Sequence, residues 1–210
     1  MSGEIDPALE RKLLIVLDYG ERLVLVLLFA GLVVRMVPSL DTHPINALAL
    51  IADGLVVAFV LVRRRTDNVT THAGDWMIAL AASLLPLLIK PGGSEIAPQV
   101  VAGALMFVGL LITLWAKLSL RRSFGIAAAN RGVVETGPYR LVRHPMYAGY
   151  VVVHIGFMLA NPLLWNLAIL VAAFMCQIVR IFAEERLLSQ DPVYAAMMQR
   201  VKFRLLPGVF

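Results

Sequence analysis

Two groups of residues in this sequence have types and spacings that could do chemistry. The first, Arg143-His144-Pro145-Met146-Tyr147, closes a polar segment that starts at Arg121-Arg122-Ser123-Phe124-Gly125 and runs through Arg131-Gly132-Val133-Val134-Glu135-Thr136-Gly137-Pro138-Tyr139-Arg140. At about 30 residues the segment is too long for a plain connector. Pro145 sits where a first-turn proline would begin a helix, which would leave backbone N–H groups free to meet a carboxylate. Tyr139 and Tyr147 could pack their aromatic faces against an adenine or a sulfonium. The competing reading is electrostatic only, with Arg140, Arg143 and His144 anchoring the chain to anionic headgroups.

The second group is Gln177, Arg180 and Glu184, followed by Glu185. The spacing i, i+3, i+7 puts the first three on one face of a helix whose other residues are apolar. Ionisable side chains at membrane depth usually face a bundle interior or a cavity, which makes this stripe a candidate site. The alternative is a helix-end pair, Arg180 with Glu184, that snorkels to the interface beside an exposed Glu185. A guanidinium at Arg180 can hold a carboxylate bidentately and aim one of its oxygens. An amine or thiol would instead require a base, for which Glu184, Glu185 and His144 are the candidates.

The elements that must position these groups are transmembrane helices. Of the 210 residues, 60% are hydrophobic and 16% charged, with a mean hydropathy of +0.80, far more apolar than one soluble core can hide. Apolar runs near 21–38, 45–62, 75–90, 97–116, 147–160 and 163–182 are each long enough, or nearly so, to span. Gly149, His154 and Gly156 interrupt the fifth, so full spanning there is open. Asn161-Pro162 predicts a turn that makes the last two runs a helical hairpin. The first dozen residues and the segment 184–204 read as interfacial helices. The expected fold is therefore all-α, a polytopic membrane protein of about five to six transmembrane helices, with residues 1–100 a substrate-side scaffold and 101–210 the catalytic region. Of the 19 Lys and Arg residues, all but Arg35 and Lys90 fall on one side if the N-terminus is inside. The bias of basic residues toward the cytoplasm then predicts that both termini and the polar segment face it.

Composition also excludes. The formal charge of +5 rides on an apolar scaffold rather than a soluble basic one, so nucleic acid is not an expected partner. Cys176 is the lone cysteine, so no internal disulfide, thiol redox pair or zinc cluster can form. The charged residues before the first apolar run, and the lack of a small-residue site closing it, argue against a cleavable signal peptide.

Gly137-Pro138-Tyr139-Arg140, then Arg143-His144-Pro145-Met146-Tyr147-Ala148-Gly149, then Arg180, Glu184-Glu185, Tyr194 and Arg200-Val201 ending near Leu206-Pro207, resemble the signature of the isoprenylcysteine carboxyl methyltransferase family. Phospholipid methyltransferases share part of it. The resemblance covers roughly residues 102–208 and implies five or so spans and S-adenosyl-L-methionine as cofactor. It further implies that His144, Pro145, Met146, Tyr147, Tyr139, Glu184 and Glu185 bind that cofactor. Arg131, Gly132, Val133 and Val134 correspond to a strand-like segment touching the same ligand. Arg180 corresponds to the arginine that orients the acceptor, with Gln177 beside it. One upstream polar contact of the family has no counterpart, Ala127-Ala128-Ala129-Asn130 standing in its place.

The expected activity is methyl transfer to a lipid-like or prenylated small molecule that enters from the bilayer, with membrane lipids as the other partners. Two alternatives stand beside it: an NADPH-dependent membrane double-bond reductase, which resembles these enzymes over the same region, and a non-catalytic scaffold or transporter component. The Glu184-Glu185 pair and Arg-His-Pro-x-Tyr favour a sulfonium cofactor over a phosphate-rich one, and no inverted repeat supports transport. Asp53, Arg35 and His154 read as interior polar contacts rather than site residues. The nine methionines suit packing between helices and also a flexible lipid tail.

Overall fold

A computed structural model describes residues 7–62, 73–120 and 132–210. Among these residues seven α-helices follow in order: α1 Pro7–Met36, α2 Asn46–Val62, α3 Ala73–Leu84, α4 Gln99–Leu120, α5 Pro145–Ala160, α6 Leu164–Leu188 and α7 Pro192–Arg200. The described residues contain no strand, so the segment at Val133 and Val134 is irregular chain. Among the described residues three helical stretches are long and apolar enough to cross a bilayer: Asp18–Ser39, Gln99–Leu120 and Leu164–Leu188. Three shorter apolar ones accompany them: Asn46–Val62, Gly74–Leu88 and Pro145–Ala160. All six coincide with the runs expected from hydropathy. The described residues are thus all-helical, with the long apolar helices of an integral membrane protein.

Helix boundaries follow local chemistry. Pro86 has no N–H for the i−4 carbonyl, and α3 tightens there into a 3₁₀ turn over Leu85–Leu88. Asp191 caps α7, its side chain accepting from the Val193 N–H at 2.8 Å with Pro192 in the first turn. Two interfacial expectations change. From Pro7 the N-terminal segment is continuous with α1, and the segment 184–204 divides into the last turn of α6 and the short α7.

Asn161-Pro162 does break α5 from α6, but the two do not form a tightly packed hairpin. The most extensive helix packing is α4 on α5, and α6 lies chiefly against α3. Glycine explains the first pairing. A Cβ on Gly109 would stand 2.6 Å from Val153 N and 2.7 Å from Gly149 O, and one on Gly156 would stand 2.7 Å from Ala102 O. Gly149 and Gly156, which seemed to interrupt α5, are thus what let two backbones touch, the means by which helices associate without a hydrophobic driving force.

At one end of the bundle three fully buried asparagines tie the helices together. Asn161 Nδ2 donates to Asn46 Oδ1 at 2.8 Å and Asn166 Nδ2 donates to Asn161 O at 2.9 Å. The side-chain oxygens of Asn161 and Asn166 accept from Gly92 N and Lys90 N, both at 2.9 Å. Arg35, read from the sequence as an interior polar contact, spends its guanidinium on the carbonyls of Leu87 at 2.5 Å and Ile89 at 3.4 Å. The start of α5 and the last turns of α6 lie at the opposite end.

Candidate active site

At that opposite end the two sequence groups meet. Tyr147, in the first turn of α5, donates its hydroxyl to Glu184 Oε1 at 2.5 Å, and Arg180 Nε donates to the same oxygen at 3.0 Å. The Arg180 guanidinium also lies over the Tyr147 ring, 5.1 Å from its centroid, and Nη1 donates to Ser83 Oγ of α3 at 3.2 Å. Arg180 is 4% exposed, so it does not snorkel to an interface. A partly exposed Glu184 places its Oε2 3.8 Å from His144 Nδ1, beyond a hydrogen bond. That oxygen has lone pairs to offer a hydroxyl or ammonium donor.

His144 bridges to a second layer. Its ring stacks on Tyr147 with centroids 5.6 Å apart and planes 6° from parallel, and Nε2 lies 3.2 Å from Glu185 Oε1. Glu185 is 5% exposed, and its carboxylate faces its own chain: Oε1 also accepts from Arg143 Nε at 2.7 Å and Oε2 from Arg204 Nε at 2.9 Å. Arg143 in turn donates Nη1 to Val201 O at 2.7 Å and Lys202 O at 2.8 Å. Both Arg143 and His144 are buried, which removes the headgroup-anchor reading for these two, while Arg140 is exposed and keeps it; Glu185 is enclosed rather than open to a ligand.

The start of α5 is not the open helix end expected. Tyr147 N and Ala148 N donate to His144 O at 3.1 and 3.2 Å. The chain running out of α7 takes the next amides, Arg143 N donating to Phe203 O at 2.9 Å and His144 N to Arg204 O at 2.8 Å. The N–H groups that would have met an anion are largely satisfied internally, so Pro145 serves to start the helix and to fill space.

Tyr139, buried in a 3₁₀ turn over Gly137–Arg140, completes this side. Burial, then the nearby Glu184 carboxylate, push its phenol well above the ordinary range, so it stays a neutral donor. Tyr194 of α7 behaves likewise, through burial and then Glu185. Gly137, at φ 61°, supplies a backbone turn that other residues resist, packed where a Cβ would meet Trp115 and Ser119 of α4. Val133 and Val134 are half-buried against the core, Gly132 is exposed, and Glu135 forms an ion pair with Arg200 of α7. Met146 and Pro145 are buried. Arg131, with residues 121–130, lies outside the described residues.

On the other side of Tyr147 and Arg180 a cavity of about 390 Å³ opens, within the range of small-ligand sites. Its walls come from α2, α3, α5 and α6, and most are apolar. Ile155 of α5 and Leu167, Val171 and Phe174 of α6 line it and are also exposed, so it reaches the lipid-facing surface where α5 and α6 part. Gln177, one turn from Arg180, lines it too; it is 7% exposed and its Nε2 has no hydrogen-bond partner. An unsatisfied buried amide is costly unless something meets it.

Sequence reasoning missed Ser83, Tyr150 and Lys117. Tyr150 carried a signal, three residues after Tyr147 and so on the same face. Lys117 was assigned to the basic segment outside the membrane, yet it is fully buried within α4 and close enough to Asp53 of α2 to interact with it electrostatically.

Residues 98–195 match the model of the phospholipid methyltransferase family. That segment runs from just before α4 into α7 and contains Tyr139, His144, Tyr147, Gln177, Arg180, Glu184 and Glu185. No curated protein matches the chain. That match supports a membrane methyltransferase domain over these residues.

Proposed function

We propose that this methyltransferase domain uses S-adenosyl-L-methionine and transfers its methyl group to the carboxylate of a lipid-like or prenylated acceptor that enters from the bilayer. The observation that carries the reading is the convergence of Tyr147 and Arg180 on one oxygen of Glu184, with an apolar, laterally open cavity on the far side of the same two side chains.

The donor set suits the cofactor. Glu184 Oε2 is available to a hydroxyl or ammonium group, and Tyr139, His144 and Tyr147 present aromatic surface beside it. Pro145 and Met146 are buried beside them, and Val133 and Val134, which follow Gly132, pack against the same cluster. Glu185 acts indirectly, holding Arg143 and His144 in place rather than touching a ligand.

S-adenosyl-L-methionine, when bound, supplies an electrophilic methyl on a sulfonium. The protein's part is alignment and exclusion of water. Arg180 orients the acceptor carboxylate, which is already ionised at neutral pH and needs no base. Gln177 offers its amide N–H to a second polar atom of the acceptor. Glu184 and Ser83 fix the guanidinium, and Tyr147 lies between cofactor side and acceptor side. α2 and α3 supply one wall of the cavity, which supports a scaffold role for the N-terminal half.

The test is transfer of labelled methyl from S-adenosyl-L-methionine into a lipid extract by the full chain in vesicles, read by mass spectrometry. The reading expects a methyl ester, so label is released by mild base. Base-stable label would move the acceptor atom to nitrogen or sulfur, and no label at all in the lipid fraction would remove the lipid acceptor.

A further inference from the structure

Three polar residues on the cavity wall have no part in the chemistry at Arg180: Asp53 of α2, and Tyr150 and His154 of α5. Tyr147, Tyr150 and His154 climb one face of α5, and a rise of 1.5 Å per residue puts His154 about 10 Å along the helix from Tyr147. They therefore sit well inside the apolar part of the cavity, where polar groups are rare and carry function by default.

Their partners leave the cavity side open. The Tyr150 hydroxyl is buried without a hydrogen-bond partner. Asp53 has a counter-charge behind it in Lys117, which is not on the cavity wall; Lys117 Nζ also lies 5.4 Å from the ring centroids of both Phe59 and Tyr150. A hydrocarbon tail alone would leave the Tyr150 hydroxyl unsatisfied and would offer nothing polar to the Asp53 carboxyl and His154 imidazole beside it, at a cost in binding. A group that both donates and accepts would meet all three.

We propose that Asp53, Tyr150 and His154 form a second polar subsite part-way along the cavity, which takes a hydroxyl or carbonyl group borne on the chain of the acceptor. The substrate class is then a lipid-like acid with a second oxygen function about 10 Å from the methylated end, not a plain hydrocarbon acid. This rests on the reading of the cavity as the acceptor site with Arg180 at its carboxylate end.

The experiment is competition against radiolabelled stearic acid on the full chain in nanodiscs, with unlabelled stearic acid and a stearic acid hydroxylated mid-chain as competitors. The subsite predicts that the hydroxy acid binds the wild type about tenfold tighter, equal to about 1.4 kcal/mol. In a Tyr150→Phe, His154→Leu double variant the two acids should bind equally, through weaker binding of the hydroxy acid alone. Equal affinity in the wild type, which needs no variant to fold, overturns the subsite, as does a preference that survives the double substitution. Arg180→Ala separates the two ideas: it should weaken both acids alike. If it does so while no preference exists, the acceptor site stands and the subsite falls. If the preference is present but Arg180→Ala changes neither acid, the subsite stands and the carboxylate end is misplaced. No saturable binding of either acid removes both.

Discussion

The Tyr147 hydroxyl donates to Glu184 at 2.5 Å, joining the first turn of α5 to the last turns of α6 across 37 residues of sequence. Charge-assisted bonds of this kind contribute about 1.5–3 kcal/mol, and here the bond sets where the carboxylate points. Tyr147→Phe keeps the ring and its stack on His144 but leaves the carboxylate held by Arg180 alone. It should weaken S-adenosylhomocysteine binding by about tenfold in calorimetry, and lower the unfolding midpoint by several degrees as the bond is lost. Undiminished affinity would mean that Glu184 is oriented by Arg180 alone.

Glu184 and Glu185 are neighbours with opposite expected behaviour. Glu185 is enclosed by Arg143, His144 and Arg204, and removing one member of a buried ion pair costs about 3–5 kcal/mol because the partner charge is left uncompensated. Glu185→Ala should therefore lower the thermal unfolding midpoint sharply, whereas Glu184→Ala should remove ligand binding with a smaller loss of stability. Thermal melts of the two variants in detergent, without ligand, distinguish them; equal losses would contradict the division of roles.

The fork of Arg180 matters more than its charge. One nitrogen reaches Glu184 and another Ser83, a geometry that a lysine ammonium on a flexible stem does not reproduce. Arg180→Lys should reduce kcat by roughly 10- to 100-fold, the equivalent of about 1.5–3 kcal/mol in lost oriented bonding, with the KM for S-adenosyl-L-methionine changed only a few-fold. A variant that turns over normally would show that the acceptor is oriented elsewhere.

Close approach of α4 and α5 gives a prediction independent of function. The atoms that a Cβ on Gly109 would strike are backbone, which cannot swing aside. Gly109→Ala should destabilise the bundle by about 1–3 kcal/mol, the usual cost of overpacking, seen as a lower unfolding midpoint. An unaffected midpoint would mean that the two helices are free to separate.

Much of the architecture was legible because it rests on strong, local signals. Apolar runs fixed the helices, Asn161-Pro162 fixed the break before α6, and helical spacing put Gln177, Arg180 and Glu184 on one face. The pairing of Tyr147 with Glu184 followed from the family resemblance of both motifs. What was not legible depends on tertiary contacts between distant segments. That the chain after α7 would turn back and occupy the amides at Arg143 and His144, closing the expected anion site, has no local signature. Neither does the burial of Lys117 against Asp53, since a lysine near a helix end reads by default as an interfacial charge. The glycines of α5 were visible but read as interruptions; only the position of α4 shows them as contact points.

The most direct test is thermal shift of the detergent-solubilised full chain with S-adenosylhomocysteine and, separately, NADPH. A ligand present at about 100 times its dissociation constant stabilises the folded state by about 2.7 kcal/mol, so a single-site binder gives a clear rise in the midpoint. The account predicts a rise with S-adenosylhomocysteine that disappears in Glu184→Ala, and none with NADPH. Stabilisation by NADPH alone, or an S-adenosylhomocysteine shift untouched by Glu184→Ala, would contradict it.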